Sequence, residues 1–124
     1  MPSPEEKIRA KTKLFQECAA QARWDDLVTC CYTRDANLAH FLTPETLETR
    51  DSILKFFKSN EEGYDLDLRY TVTSLKSDPS ARLVSGIGRV NAGAWCPFVE
   101  RWEDRDGDWL IVKDKVYPPE TWME

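Results

Sequence analysis

One histidine, His40, occurs in the 124-residue chain, so any imidazole-dependent chemistry must run through it. Its ordinary pKa near 6.5 suits proton abstraction or donation at neutral pH. It lies between apolar neighbours in the run 38–42, where an extended backbone puts Leu38, His40 and Leu42 on one side. That placement fits a base facing a pocket, and it equally fits a half-buried histidine satisfied by a backbone carbonyl. Glu100 is the second candidate. It alternates with Phe98 and Trp102 on one strand face, where desolvation would raise its pKa and keep it partly protonated as an acid. Its other reading is structural: a straight hairpin register sets Glu100 across from Lys113 and Arg101 diagonal to Asp114, ordinary cross-strand charge pairs.

Other chemistries find little footing. No Gly-x-Ser-x-Gly elbow accompanies the histidine, which disfavours a serine hydrolase. Gly86-x-Gly88 lacks the third glycine and following helix of a dinucleotide site and reads as sheet curvature. Cys18, Cys30, Cys31 and Cys96 form no C-x-x-C pair, and one histidine is too few for a structural zinc site. The vicinal pair Cys30-Cys31 sits in a helical pattern, where a strained disulfide is disfavoured, so the cysteines are expected reduced and packed as small hydrophobes. No cofactor and no metal is called for.

The elements that must position these residues follow from capping and periodicity. Ser3, Pro4 and Glu6 form a capping box with proline at the first helical position, so a helix starts at residue 4. Its stripe is Ile8, Thr12, Phe15, Ala19 and Ala22. A second helix is predicted at 25–32, with Trp24, Val28 and Cys31 one turn apart, and a third at 50–58, capped by Thr49 or Asp51. The period then changes to two over 64–73, the signature of a strand with one wet face. After a turn at Ser77-Asp78-Pro79-Ser80, further strands are predicted over 82–90, 94–104 and 109–117. Asp106-Gly107 marks a type I′ hairpin, with Asp104 opposite Trp109, Trp102 opposite Ile111 and Glu100 opposite Lys113. Asp35 reads as a turn or cap residue after the second helix.

Helices followed by strands give an α+β domain, three helices packed in a bent four-stranded antiparallel sheet enclosing a conical space. With 41% hydrophobic residues, including five Trp, four Tyr and five Phe, a chain of this length forms one domain with a real core. A net charge of −5 without a basic run leaves no source of phosphate-backbone affinity, so nucleic acid and anionic membrane are poor partners. No export signal and no 18-residue apolar run appears, which points to a cytoplasmic protein.

Three stretches carry a family resemblance: Trp24-Asp25-Asp26-Leu27-Val28-Thr29-Cys30-Cys31-Tyr32-Thr33-Arg34-Asp35-Ala36, Thr49-Arg50-Asp51-Ser52-Ile53-Leu54-Lys55-Phe56-Phe57, and the hairpin from Val99 to Val112. Together they resemble the nuclear transport factor 2-like superfamily, in particular its SnoaL-like and ketosteroid-isomerase-like branch. The resemblance implies a cone-shaped, cystatin-like α+β barrel, often dimeric through the outer sheet face, with a pocket inside. Members include isomerases, dehydratases, polyketide cyclases, epoxide hydrolases and noncatalytic transport and dimerisation modules, so fold alone does not choose a function. Counting from Asp35-Ala36 brings the ketosteroid isomerases' carboxylate base to His40, their first-helix tyrosine to Gln16, and their sheet acid to Glu100. The first two positions depart from that pattern.

The expectation is therefore a small-molecule-binding cone with an apolar pocket, holding a small apolar or carbonyl-bearing ligand. If it is an enzyme, it is a cofactor-free isomerase, cyclase or dehydratase with His40 as base and Glu100 or a tyrosine as donor. Phe15, Cys31, Tyr32, Phe57, Tyr70 and Trp102 are expected to line the pocket. Trp95, Trp102, Trp109 and Trp122 cluster late in the chain, and an apolar patch of such residues on the outer sheet face would support a homodimer. The competing expectation is a noncatalytic association module, marked by a cavity plugged by Phe15, Phe57 and Trp102.

Overall fold

The computed structural model of the protein describes residues 2–119. The chain runs α1 (Pro4–Ala20), α2 (Trp24–Cys31), β1 (Tyr32–His40), α3 (Arg50–Lys58), β2 (Leu66–Leu75), β3 (Asp78–Val90), β4 (Cys96–Arg105) and β5 (Asp108–Val116). The Ser3 capping box forms as predicted, and of Thr49 and Asp51 it is Thr49 that caps α3. Ser3 Oγ accepts from the Glu6 amide and the Glu6 carboxylate accepts from the Ser3 amide, while Thr49 and Ser52 make the same reciprocal pair at α3. Ala22 falls beyond α1, in a turn with φ of 54°.

The sheet is the first correction. It has five strands in the order β1-β5-β4-β3-β2, and β1 pairs parallel to β5, so the sheet is mixed rather than purely antiparallel. The apolar run at 38–40 is the end of a nine-residue strand that follows α2 without a loop, and 41–42 already turn away. Asp35 is an exposed strand residue and not a helix cap. Polar Arg34 and Asp35 interrupt the alternation because β1 is irregular there, its register jumping between Tyr32 and Asn37. Leu47 closes the free edge of β1 by exchanging two backbone hydrogen bonds of 2.8 Å with Leu38.

The turn placed at residues 77–80 is also shifted. The β2–β3 loop is Lys76-Ser77, and Asp78 to Ser80 begin β3. Curvature arises where expected: a Cβ on Gly86 would sit 1.9 Å from the Arg69 carbonyl oxygen, so only glycine lets β2 approach β3 this closely. The terminal hairpin turns through Asp106 (φ 57°) and Gly107 (φ 87°), both left-handed as a type I′ turn requires.

Its register contains the second correction. Asp104 opposes Trp109 and Trp102 opposes Ile111 as predicted, but Arg101 then opposes Lys113 and Glu100 opposes Asp114. Val112 is an extra residue on β5, a bulge that reverses the facing of everything after it. Lys113 and Lys115 are thereby exposed and Asp114 is buried. Arg101 finds its partners elsewhere, bonding Asp78 Oδ2 at 2.9 Å and Glu103 Oε2 at 3.0 Å.

Helices α1 and α2 pack against the inner sheet face around Ile8, Leu27, Tyr32, Ile53, Trp102 and Ile111. Trp24 stacks on Phe57 with centroids 5.5 Å apart, which ties α2 to α3. Trp102 and Trp109 are buried in this core rather than on the outer face. Trp95 is partly exposed under the guanidinium groups of Arg69 and Arg89, and Trp122 lies outside the described residues.

Candidate functional site

Between the helices and the inner sheet face lies a cavity of about 470 Å³. Phe15, Phe56 and Phe57 come to it from the helices, Leu68 and Tyr70 from β2, and Val84 and Gly88 from β3. Because Phe15 and Phe57 form wall rather than filling, the hollow stays open. Tyr32, Leu38 and His40 reach it from β1.

Its polar centre is a pair of acids, Glu100 on β4 and Asp114 on β5, cross-strand neighbours because of the Val112 bulge. Side chains directly opposed on one sheet face have Cβ atoms roughly 5 Å apart. Asp114 is only 7% exposed. The Tyr32 hydroxyl donates to its Oδ2 at 2.7 Å, and the Trp102 indole N–H donates to Glu100 Oε1 at 3.0 Å. Asp114 Oδ1 has no partner unless Glu100 carries a proton, in which case the two carboxyls hydrogen-bond to each other.

Burial and mutual repulsion therefore hold a proton on the pair. Desolvation first, then the Asp114 charge, raise Glu100 well above the usual carboxylate range. Asp114 is pushed up to about 6 by burial, against the lowering pull of the Tyr32 and Glu100 hydrogen bonds. Glu100 is thus the protonated member and Asp114 the first to ionise, with no Lys or Arg among the causes acting on either. Tyr32 itself is raised well above its ordinary value by burial and by Asp114, so its hydroxyl stays a donor.

His40 lines the same cavity two residues further along β1, away from the acids and toward the opening beside Phe41 and exposed Leu42. Its Nδ1 accepts from the Leu42 amide at 3.1 Å, and its ring packs on Phe41 and Phe56 with centroids 4.8 and 5.0 Å away. Desolvation lowers its pKa. The neutral ring with Nδ1 engaged carries its proton on Nε2, which makes the free nitrogen a donor rather than a base.

Of the residues expected to line the pocket, Phe15, Tyr32, Phe57 and Tyr70 do so together with His40 and Glu100. Cys31 and Trp102 do not. Cys31 is packed into the core behind α1, its Sγ 3.8 Å from the Lys11 carbonyl and its thiol pushed up to about 12 by burial. Trp102 sits beneath the wall and holds Glu100 from behind. Gln16 bonds the Leu66 carbonyl at 2.9 Å, fastening α1 to β2 instead of facing the cavity. Asp114 is the residue that sequence reasoning missed. A straight register would have turned both Lys113 and Lys115 into the cavity, and that impossibility was the available sign of a bulge.

This arrangement of helices and bent sheet can be compared with solved structures. A putative calcium/calmodulin-dependent protein kinase II association domain from Xanthomonas campestris superposes with TM-score 0.79 at 18% identity, covering 96% of this chain and 91% of that one. An NTF-2-like protein of unknown function from Shewanella oneidensis gives 0.79 at 18% identity over 94% and 100%. A putative ketosteroid isomerase from Parabacteroides distasonis gives 0.74 at 12% identity over 97% and 91%. The chain has the nuclear transport factor 2-like, cystatin-like fold. No known family profile and no curated protein sequence matches it. At these identities the likeness speaks for the fold alone, and the nuclear transport factor 2-like cone holds the acid pair on its inner wall. No described helix is long and apolar enough to cross a membrane.

Proposed function

We propose that the cone binds a small, mainly apolar molecule carrying one carbonyl group, and that the Glu100–Asp114 pair moves a proton on it without a cofactor. The observation that carries this reading is a proton-sharing acid pair on the wall of an otherwise apolar cavity. Ionised Asp114 takes the proton from the carbon beside the carbonyl. The C–H electron pair passes into an enolate, whose oxygen receives the Glu100 O–H hydrogen bond, and Asp114 returns the proton to carbon. Tyr32 and Trp102 position the two carboxyls. His40 acts as an Nε2–H donor near the opening, in place of the base role expected from sequence.

Proton NMR of 2-tetralone in heavy water tests this. The wild-type protein should speed exchange of the protons beside the ketone, and Glu100→Gln and Asp114→Asn should each lower that rate by roughly a hundredfold or more. Unchanged exchange in both variants sinks the mechanism.

The second reading, a noncatalytic association module, draws support from the description of the Xanthomonas campestris neighbour. The open cavity weighs against it. Homodimerisation is compatible with either, and we propose it through the outer sheet face, where Val99 is 38% exposed beside half-buried Leu83 and Ile87.

A further inference from the structure

We propose that the same cavity also receives a small lipophilic ammonium ion, which seats an N–H on the Glu100–Asp114 carboxyl pair among the surrounding ring faces. This rests on the cavity's being the ligand site proposed above, and it adds a ligand class of opposite hydrogen-bonding character.

Three observations converge. The first is unmatched acceptor capacity: Asp114 is more than nine-tenths buried and lines the cavity beside Glu100, and apart from the proton the pair shares, no described residue donates to its Oδ1. A buried carboxylate oxygen without a donor is a costly vacancy that an N–H group fills well. The second is the wall. Phe15, Tyr32, Phe57, Tyr64 and Phe98 all line the cavity, and Tyr32 lies 6.2 Å from Phe15 and 6.3 Å from Phe57, centroid to centroid. Ring faces attract cations, most strongly where water is excluded. Among the described residues, cation–ring contacts fall on Tyr70, Trp95, Trp109 and Tyr117, and on none of these five.

The third is charge. From β4 the acid faces Glu100 and from β1 the Tyr32 hydroxyl, while His40, whose pKa burial lowers, lies further along β1 on the same cavity. Tyr64 and Tyr70 reach the cavity beside β2, while α1 and α3 contribute Thr12 and phenylalanines. Lys11 of α1 is paired with Asp108 at 2.7 Å, and buried Cys31 of α2 remains a thiol. Arg89 of β3 borders the cavity but is committed to Asp67 at 3.2 Å and to the Trp95 ring. The negative charge that develops on the pair thus has no counter-charge from the described residues, and a ligand can supply it.

The consequence is an opposite pH dependence for two ligands of one shape. A ketone needs the Glu100 proton and binds best when the pair holds it. An ammonium ion needs the pair's charge and binds best when the proton has gone.

The test uses 2-tetralone and 2-aminotetralin, the latter an amine that stays protonated at both conditions, titrated calorimetrically into the wild-type protein at about pH 5 and about pH 8. Aminotetralin should bind roughly tenfold or more tightly at the higher pH, and tetralone should not gain. Asp114→Asn should abolish the gain for the amine. If that variant fails to fold, Glu100→Gln provides the second arm, since it leaves Asp114 as the one ionisable acid of the pair and should keep the gain for the amine; a gain lost there overturns the proposal. Tetralone binding with no aminotetralin binding, or amine affinity flat with pH, overturns this proposal and leaves the ketone reading standing. Failure of both ligands to bind overturns both.

Discussion

Replacing Asp114 by Asn should make the protein more stable above neutral pH, the reverse of what losing a buried, hydrogen-bonded side chain usually does. Asp114 has an ordinary pKa of 3.8 and is held at about 6 in the fold. A carboxyl raised in this way binds its proton more tightly folded than unfolded. Its stabilising contribution is therefore complete below about pH 4 and is lost as pH rises through about 6. A displacement of about two units corresponds to about 3 kcal/mol, and Glu100, also raised, extends the loss to higher pH. Asparagine keeps the shape, its Oδ1 can still accept from Tyr32, and its amide gives Glu100 a donor. Urea denaturation followed by tryptophan fluorescence at about pH 5 and about pH 8 provides the assay. Through Asp114 alone the wild-type protein should lose about 1.5 kcal/mol between the two, the rest of the roughly 3 kcal/mol having gone by pH 5; Asp114→Asn should lack that part of the loss, keep only the part due to Glu100, and exceed the wild type at the higher pH by about 2–3 kcal/mol, roughly 10 °C in Tm. A wild-type protein as stable at pH 8 as at pH 5, or an Asn variant weaker at both, would refute the shared-proton account.

Four further outcomes follow from the geometry. Tyr32→Phe removes the donor to Asp114 Oδ2 and should cost about 1–3 kcal/mol, more at pH 8 than at pH 5, in the same urea assay. Gly86→Ala drives a methyl into the Arg69 carbonyl and should cost about 3 kcal/mol or more, or prevent folding, as read by circular dichroism. His40→Ala should leave Tm within a few degrees and lower ketone exchange far less than Asp114→Asn does, since the ring is a donor near the opening. A larger loss than for Asp114→Asn would restore His40 as the base. Val99→Lys should convert the proposed dimer to monomer in sedimentation analysis, because two copies of the charge would meet across a twofold interface.

Local chemistry made much of this architecture legible. Ser3 and Thr49 announce helix starts because a hydroxyl before an acceptor three residues later satisfies orphan amides, and both caps form. Leu66 to Thr73 alternates because one face of β2 is wet, the strand starting two residues later than the alternation from Tyr64 suggests, and Asp106-Gly107 turns because both residues accept positive φ. What escaped depends on partners distant in sequence. Arg34 and Asp35 make β1 look like a loop, and only its parallel pairing with β5, over seventy residues on, makes it a strand. Glu100 was visible as a pocket acid through its flanking Phe98 and Trp102. Its partner was hidden by a single unpaired residue, Val112, which changes a salt bridge with Lys113 into an acid pair with Asp114.

On the proposed reading, that bulge bears on function as well as on register. Elsewhere the chain obeys ordinary rules: charges pair at the surface, helix ends are capped, and large apolar side chains fill the core. At the cavity wall it breaks several together. Two acids face each other with no cation beside them among the described residues, a strand carries an extra residue, and an acceptor stays unmatched when the pair is fully ionised. Each is destabilising, and leucine or methionine at positions 100 and 114 would pack against Phe98 and Val116 without that penalty. Natural chains concentrate such violations where a site requires them. The strain here converges on residues that line one cavity, with Tyr32 and Trp102 spending their polar hydrogens to hold them in place. A core selected for stability alone has no use for this arrangement, whereas a proton-transfer site needs an acid and a base kept apart from water and one proton apart from each other.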